Sequence, residues 1–295
     1  MTLALSASRR VAPARPRHVG LAAVLLAAAV SQAGAVSFKA TLTSIKLHAR
    51  PGQVMTSVFR LTLDAGQSKT RFKARVEDWW RSEDGKESFY AEAGTLERSC
   101  GKWVAINPVE AEALPSQQLN IRLTVSVSPQ AQPGGYWCVL TVDEVPDPLA
   151  PQDEVSVHFF ASVSTGIFVY VAPLQQAARI VDVMIGPDAA TLRLRNDGNT
   201  PLAIEGRFEF VKPGQTTPVA VVKLQRTTLL TQPIATGLFS ARLPDERALP
   251  SGRYLVRAIV DYGVDHYIGV QKEVELDRDP AGNPPRTQKA DGGAF

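Results

Sequence analysis

Residues 154–171 read EVSVHFFASVSTGIFVYV, and the alternation within them decides the fold class. Val155, Val157, Phe159, Ala161, Val163, Ile167, Val169 and Val171 are apolar, whereas Ser156, His158, Ser162 and Ser164 between them are polar. A period of two marks a strand with one face buried and the other wet. The run is longer than the usual five or six residues of a strand, so it is expected to cross a whole sheet, with a local irregularity at Gly166. Two placements fit the pattern equally. One is a central strand that continues to a domain boundary. The other is a rim strand whose apolar row is offered to a partner lacking a strand of its own.

The same grammar extends in both directions. Phe59, Leu61 and Leu63 alternate with Arg60, Thr62 and Asp64, and Ile121, Leu123, Val125 and Val127 alternate with polar partners. Pro51-Gly52, Asp64-Ala65-Gly66, Glu83-Asp84-Gly85, Pro133-Gly134-Gly135 and Pro250-Ser251-Gly252 punctuate the strands at hairpin intervals, as turn residues should. No long amphipathic helix interrupts them. The spacing predicts an all-β chain of two tandem immunoglobulin-like β-sandwich domains. A boundary is expected at Ala172-Pro173, with Leu174 to Ala178 as a short linker, dividing residues 36–172 from 173–277. In the second part Ala190 to Arg195 reads as a strand, Asn196-Asp197-Gly198-Asn199 as a turn, and Tyr254 to Tyr262 with Ile268 to Leu276 as a closing hairpin. Residues 278–295 hold Pro, Gly and charge without an apolar anchor, the composition of a disordered tail.

The amino terminus speaks to compartment. Arg9, Arg10, Arg15 and Arg17 precede an apolar run from Val19 to Val30, closed by Ala33-Gly34-Ala35. This is the form of a secretory signal peptide over residues 1–35. The run of 12 residues is well short of the roughly 18 to 20 that cross a bilayer, so no stable membrane insertion is expected. Loss of the leader removes four arginines and no acid, taking the formal charge from +3 to −1. The mature chain then lacks the positive field that draws proteins to nucleic acid. The expected location is the periplasm, with the cell surface as the alternative. In such an oxidising compartment Cys100 and Cys138 are expected to pair. A bridge closing their loop stabilises by roughly 4 kcal/mol on chain-entropy grounds.

No catalytic constellation is visible. His18, His48, His158 and His266 lie far apart and none has a second donor at metal-ligand spacing; Asp261, Asp265 and His266 read as a solvated hairpin loop. No cofactor, no metal and no enzymatic activity are expected. Trp79, Trp80, Trp103 and Trp137 all fall in the first domain. Adjacent Trp79 and Trp80 should point to opposite faces of a strand, leaving one at least partly exposed, under a loop or against a ligand. Trp137 is expected to pack against the disulfide.

Several features also follow a familiar order. An opening strand with Pro51-Gly52 is followed by Asn107-Pro108, Leu114-Pro115, the strand Leu119 to Ser128, and the run YWCVLTVDEVP from Tyr136 to Pro146, and then by the long alternating strand ending at Tyr170 and Pro173. In this order the chain resembles the PapD-type periplasmic pilus-assembly chaperones, closely in the first domain and loosely in the second. The resemblance implies a chaperone in which the long strand completes the fold of a secreted pilus or surface subunit, with Val155, Val157, Phe159, Ala161 and Val163 as the donated row and an outer-membrane usher as a further partner. The family anchors the subunit's terminal carboxylate with an Arg on the opening strand and a Lys on the long strand. Here Lys46 stands in for the Arg as a cleft contact, and no Lys occurs near Thr165 and Gly166, which marks a divergent member. The tryptophans sustain a second reading, a surface adhesin or carbohydrate-binding module, and a purely structural envelope module is a third.

Overall fold

The structure, a computed structural model, describes residues 38–40, 44–90, 92–145, 160–231 and 235–278. The leader expected over 1–35 lies outside the described residues. So do residues 154–159 of the long strand and residues 279–295 of the expected tail. Ten strands form the first sandwich: β1 (Phe38–Ala40), β2 (Ser44–Ala49), β3 (Val54–Leu63), β4 (Thr70–Arg81), β5 (Glu87–Tyr90), β6 (Val104–Asn107), β7 (Glu110–Ala113), β8 (Gln118–Ser126), β9 (Gly134–Val145) and β10 (Ser162–Val171). One sheet runs β1-β3-β8-β6 and the other β2-β10-β9-β4, with β5 and β7 on opposite ends of β4. The chain passes back and forth between the two sheets, so that strands close in sequence, such as β1 and β2 or β6 and β7, lie in different sheets.

Seven strands form the second sandwich: β11 (Ala178–Ile185), β12 (Ala189–Asn196), β13 (Leu202–Val211), β14 (Ala220–Leu229), β15 (Thr236–Arg242), β16 (Gly252–Asp261) and β17 (Ile268–Leu276). Their sheets run β11-β12-β15 and β14-β13-β16-β17, the division of an immunoglobulin-like sandwich. The expected turn at Asn196 to Asn199 joins β12 to β13, and the expected closing hairpin is β16–β17.

Alternation delivers the two cores. Phe59, Leu61 and Leu63 from β3 are fully buried and meet Leu140 and Val142 from β9 and Ile167, Val169 and Val171 from β10. Leu192, Leu194, Phe208, Phe210 and Val256 fill the second sandwich. Burial of each such side chain stabilises by about 1.5–3 kcal/mol. Cys100 and Cys138 form a disulfide on the buried side of β9. Trp137 does not pack with them. Neighbouring residues of a strand face opposite ways, so Trp137 emerges on the other face of the sheet, where it is 1% exposed in a separate aromatic cluster.

Both sandwiches also share a device at the entry to their last hairpin. Tyr136 Oη donates to Gln132 O at 2.9 Å and Tyr254 Oη donates to Pro250 O at 2.8 Å. This corner, in which a tyrosine reaches back to the preceding turn, is a hallmark of immunoglobulin-like folds. At the far end of β17, the Arg278 guanidinium donates to Pro187 O, Pro244 O and Leu249 O. Arg278, expected to begin the tail, instead ties the end of the second sandwich.

Asp78, on β4, is completely buried. Its carboxylate accepts from the backbone N–H groups of Gly94 (2.9 Å), Thr95 (2.8 Å) and Leu96 (2.9 Å) and from the Ser99 hydroxyl. It thereby fixes the loop that carries Cys100. Burial raises the pKa of this carboxyl, but the bonds from Gly94, Ser99, Leu96 and Thr95 outweigh burial and hold it below 3.8. A depressed folded-state pKa stabilises the fold above the unfolded value, and that stability is lost as pH falls through the folded value. Asp78→Asn is therefore expected to cost about 3 kcal/mol at neutral pH. It should also flatten the stability profile below about pH 4, as measured by urea unfolding across pH.

Candidate functional site

β10 has two different environments along its length. On one side it pairs with β9 throughout, from Ser162 opposite Asp143 to Val171 opposite Gly134. On the other it pairs in parallel with β2, but only from Gly166 opposite Ser44 to Val171 opposite Ala49. Residues 166–171 are thus interior to the sheet. Residues 162–165 have no neighbouring strand on that side among the described residues. The central and rim placements allowed by the sequence each hold for one half of the strand.

The backbone at the rim can be oriented. Ala161 O accepts from Glu144 N at 2.9 Å and Ala161 N donates to the Glu144 carboxylate at 3.0 Å, so both groups of Ala161 face β9. In an antiparallel ladder successive residues direct their backbone groups alternately to the two sides. Val163 and Thr165 therefore face β9, and Ser162 and Ser164 turn their N–H and C=O groups to the rim. Their hydroxyls are engaged elsewhere, Ser162 Oγ with Asp143 at 2.6 Å and Ser164 Oγ with Thr141 at 3.1 Å.

The side-chain row grades from half-buried to buried. Ala161 and Val163 are partly buried, Thr165 is 1% exposed, and Ile167, Val169 and Val171 are fully buried. Val163 already packs against the first core. Val155, Val157 and Phe159 lie outside the described residues. Phe160, on the opposite face, is 55% exposed.

Lys46 sits on β2 opposite Phe168, exposed on the outer face of the sheet. β10 brings no second cation to it. Thr165 faces the core, and a Cβ on Gly166 would lie 2.9 Å from the Phe168 ring, which folds over that position. Arg75, on β4, is paired with Glu77 (3.0 Å) and Asp143. His48 stacks on Tyr170 with ring centroids 5.1 Å apart.

Further along the same face the sheet is aromatic. Trp79 and Trp80 are each 7% exposed, which corrects the expectation that one of them reaches solvent. They cluster with Trp137, Val139, Phe168 and, from the second sandwich, Leu230. Trp79 meets Phe168 edge-on at 6.2 Å, and Trp137 Nε1 donates to Trp79 O at 3.1 Å. Backbone bonds reinforce this contact: Gly135 N donates to Asn199 O at 2.8 Å, and Leu238 N on β15 donates to Glu83 O at 2.7 Å. Glu83 also pairs with Arg193, and Arg81 bonds Thr227 and Thr228. The expectation for an isolated strand failed because a second sandwich covers the face that would otherwise be wet. The cue was in the sequence: Trp137 and Val139 belong to the nearly continuous apolar run from Tyr136 to Val142, which reads as a strand buried on both faces.

Among the described residues no group of three His, Cys, Asp or Glu side chains is placed to hold a metal ion. His266 bonds exposed Asp265 and the hydroxyl of Tyr262, each at 2.9 Å, in the β16–β17 loop.

No family model matches the sequence, and no curated protein matches it. Among solved structures the chain is similar to the CupB2 chaperone of Pseudomonas aeruginosa, at 13% identity over 81% of this chain and 100% of that one, with a TM-score of 0.43. It is similar to the CsuC–CsuE chaperone–tip adhesion subunit pre-assembly complex from Csu pili of Acinetobacter baumannii, at 15% identity over 81% and 98%, with a TM-score of 0.44. A third likeness is to the SafA pilin in complex with the SafB chaperone of Salmonella enterica, at 12% identity over 79% and 95%, with a TM-score of 0.44.

The orientation of the rim has a direct test. Proline is tolerated where an edge N–H faces away from the ladder and breaks a strand where it does not. Ser164→Pro should leave the melting temperature within about 3 °C of wild type, whereas Val163→Pro should lower it by about 10 °C or more. Equal losses in the two variants would show that the backbone is oriented otherwise.

Proposed function

We propose that this chain is a divergent PapD-type chaperone, exported to the periplasm and non-enzymatic, that binds secreted client subunits by strand addition at the rim of β10. Residues 36–172 and 173–277 act as its two domains. The client-binding row is Val155, Val157, Phe159, Ala161 and Val163, and Lys46 is a cleft contact. The observation that carries this reading is the half-open β10. Ser162 and Ser164 present backbone donors and acceptors beside half-buried Ala161 and Val163, and in the sequence the apolar alternation extends back to Val155.

Magnitudes indicate which part of the site matters most. Two residues offer up to four backbone hydrogen bonds, each worth about 1 kcal/mol net. The resulting 4 kcal/mol corresponds to only millimolar affinity. Side chains must supply the rest, and each apolar residue of the row can contribute about 1.5–3 kcal/mol when covered by a client. Recognition would thus depend mainly on alternating pockets, with the backbone setting register. Lys46, exposed and without a second cation, would add about 1 kcal/mol or less. The burial of both Trp79 and Trp80 removes the observation that favoured a sugar-binding face.

The experiment is capture of clients from the native compartment by tagged protein. Val157→Asp combined with Phe159→Asp should reduce co-purified clients by about tenfold or more, since a charge is placed in each of two apolar pockets, while the melting temperature stays unchanged. Retention of the same clients at wild-type yield would exclude the row as the binding element and leave a structural envelope role.

A further inference from the structure

The second sandwich also has edge strands, and two side chains treat one of them differently from β10. β11 is the outer strand of its sheet and β17 the outer strand of the facing sheet. An exposed edge is a template for pairing with another chain. On β11 the register slips between Ile180 and Asp182, leaving Val181 bulged outward and 48% exposed. Just beyond the bulge, Val183 N donates to Asp182 Oδ1 at 2.7 Å, and Val183 O accepts from Lys272 Nζ at 3.0 Å. Both backbone groups of Val183 with which an added strand would pair are therefore occupied by side chains.

Lys272 reaches this position from an unusual slot. Along β17 the inward-facing residues are Ile268, Val270, Lys272, Val274 and Leu276, and every one except Lys272 is apolar and packs on the core. A lysine inside an apolar row weakens packing unless its ammonium finds a partner. Here the stem crosses the seam between the two sheets and the ammonium ends on Val183 O, with Asp182 4.0 Å away. Inward-facing charge and bulges are the devices by which edge strands are kept from pairing. Both occur at one point of this seam.

We propose that Asp182 and Lys272 cap the β11 edge at Val183 and so prevent a second copy of this chain from adding a strand there. The occupant excluded is another copy of the same chain, because every copy carries the same β11 and β17 edges and the apolar Val181 and Met184, respectively 48% and 40% exposed on β11. The proposal does not depend on β10 binding any client.

The test is sedimentation velocity of the purified chain over a range of concentrations. Wild type and Lys272→Arg should remain monomeric. Lys272→Met, which keeps the volume of the stem, and Asp182→Ala should each associate, and the double variant should associate at least tenfold more tightly than wild type. On association, hydrogen exchange should show new protection of amides in 178–185 or 268–276. Three results would overturn the proposal: folded variants that stay monomeric, association without new protection of those amides, or association abolished by adding Ser164→Pro. The last would place the contact on β10.

Discussion

The structure depends on one strand being buried on both faces. Residues 134–142 of β9 are buried without interruption. Tyr136, Cys138, Leu140 and Val142 point into the first sandwich, and Trp137 and Val139 point out of it into the cluster shared with Leu230 of the second. A strand in that position cannot lie at an edge or against solvent. β4 and β10 must flank it, and the second sandwich must cover its outer face. The placement of β10, the burial of Trp79 and Trp80, and the contacts of Glu83 and Gly135 all follow from this constraint.

Local periodicity was enough to read much of the architecture. The rows Phe59-Leu61-Leu63 and Ile121-Leu123-Val125 fall on the buried faces of β3 and β8, and Pro51-Gly52, Asp64-Ala65-Gly66 and Glu83-Asp84-Gly85 sit between strands, while Gly134, Gly135 and Gly252 begin strands instead. Contacts between the sandwiches were not legible in the same way. Trp79 and Trp80 read as one buried and one exposed residue because alternation reports only whether a face is covered, and a second body can cover the other. Trp137 was legible, since as the neighbour of Cys138 on a strand it had to face away from the disulfide. The tyrosine corners at Tyr136 and Tyr254 were available as a signal, since each tyrosine lies four residues after the carbonyl it bonds.

The candidate site was half legible. The alternating row announced a long strand with one apolar face, but neighbours on either side of a strand are set by pairings distant in sequence, here β2 with β10. The result is a strand that is interior at one end and, among the described residues, without a second neighbour at the other, which no local pattern encodes. Lys46 also changed meaning in three dimensions. It lies opposite Phe168 in register, and the Phe168 ring folds over Gly166.

The parallel pairing of β2 with β10 also governs the order in which the first sandwich can be assembled. Chains emerge from the ribosome amino terminus first, and Ser44 has no partner until Gly166 has appeared. Loop closure over such a separation is slow compared with local hairpin formation. Local hairpins such as β4 with β5 and β9 with β10 can form first, while the opening strand waits. The two strands that frame the rim are therefore among the last to meet, so the candidate binding edge takes shape only as the sandwich closes.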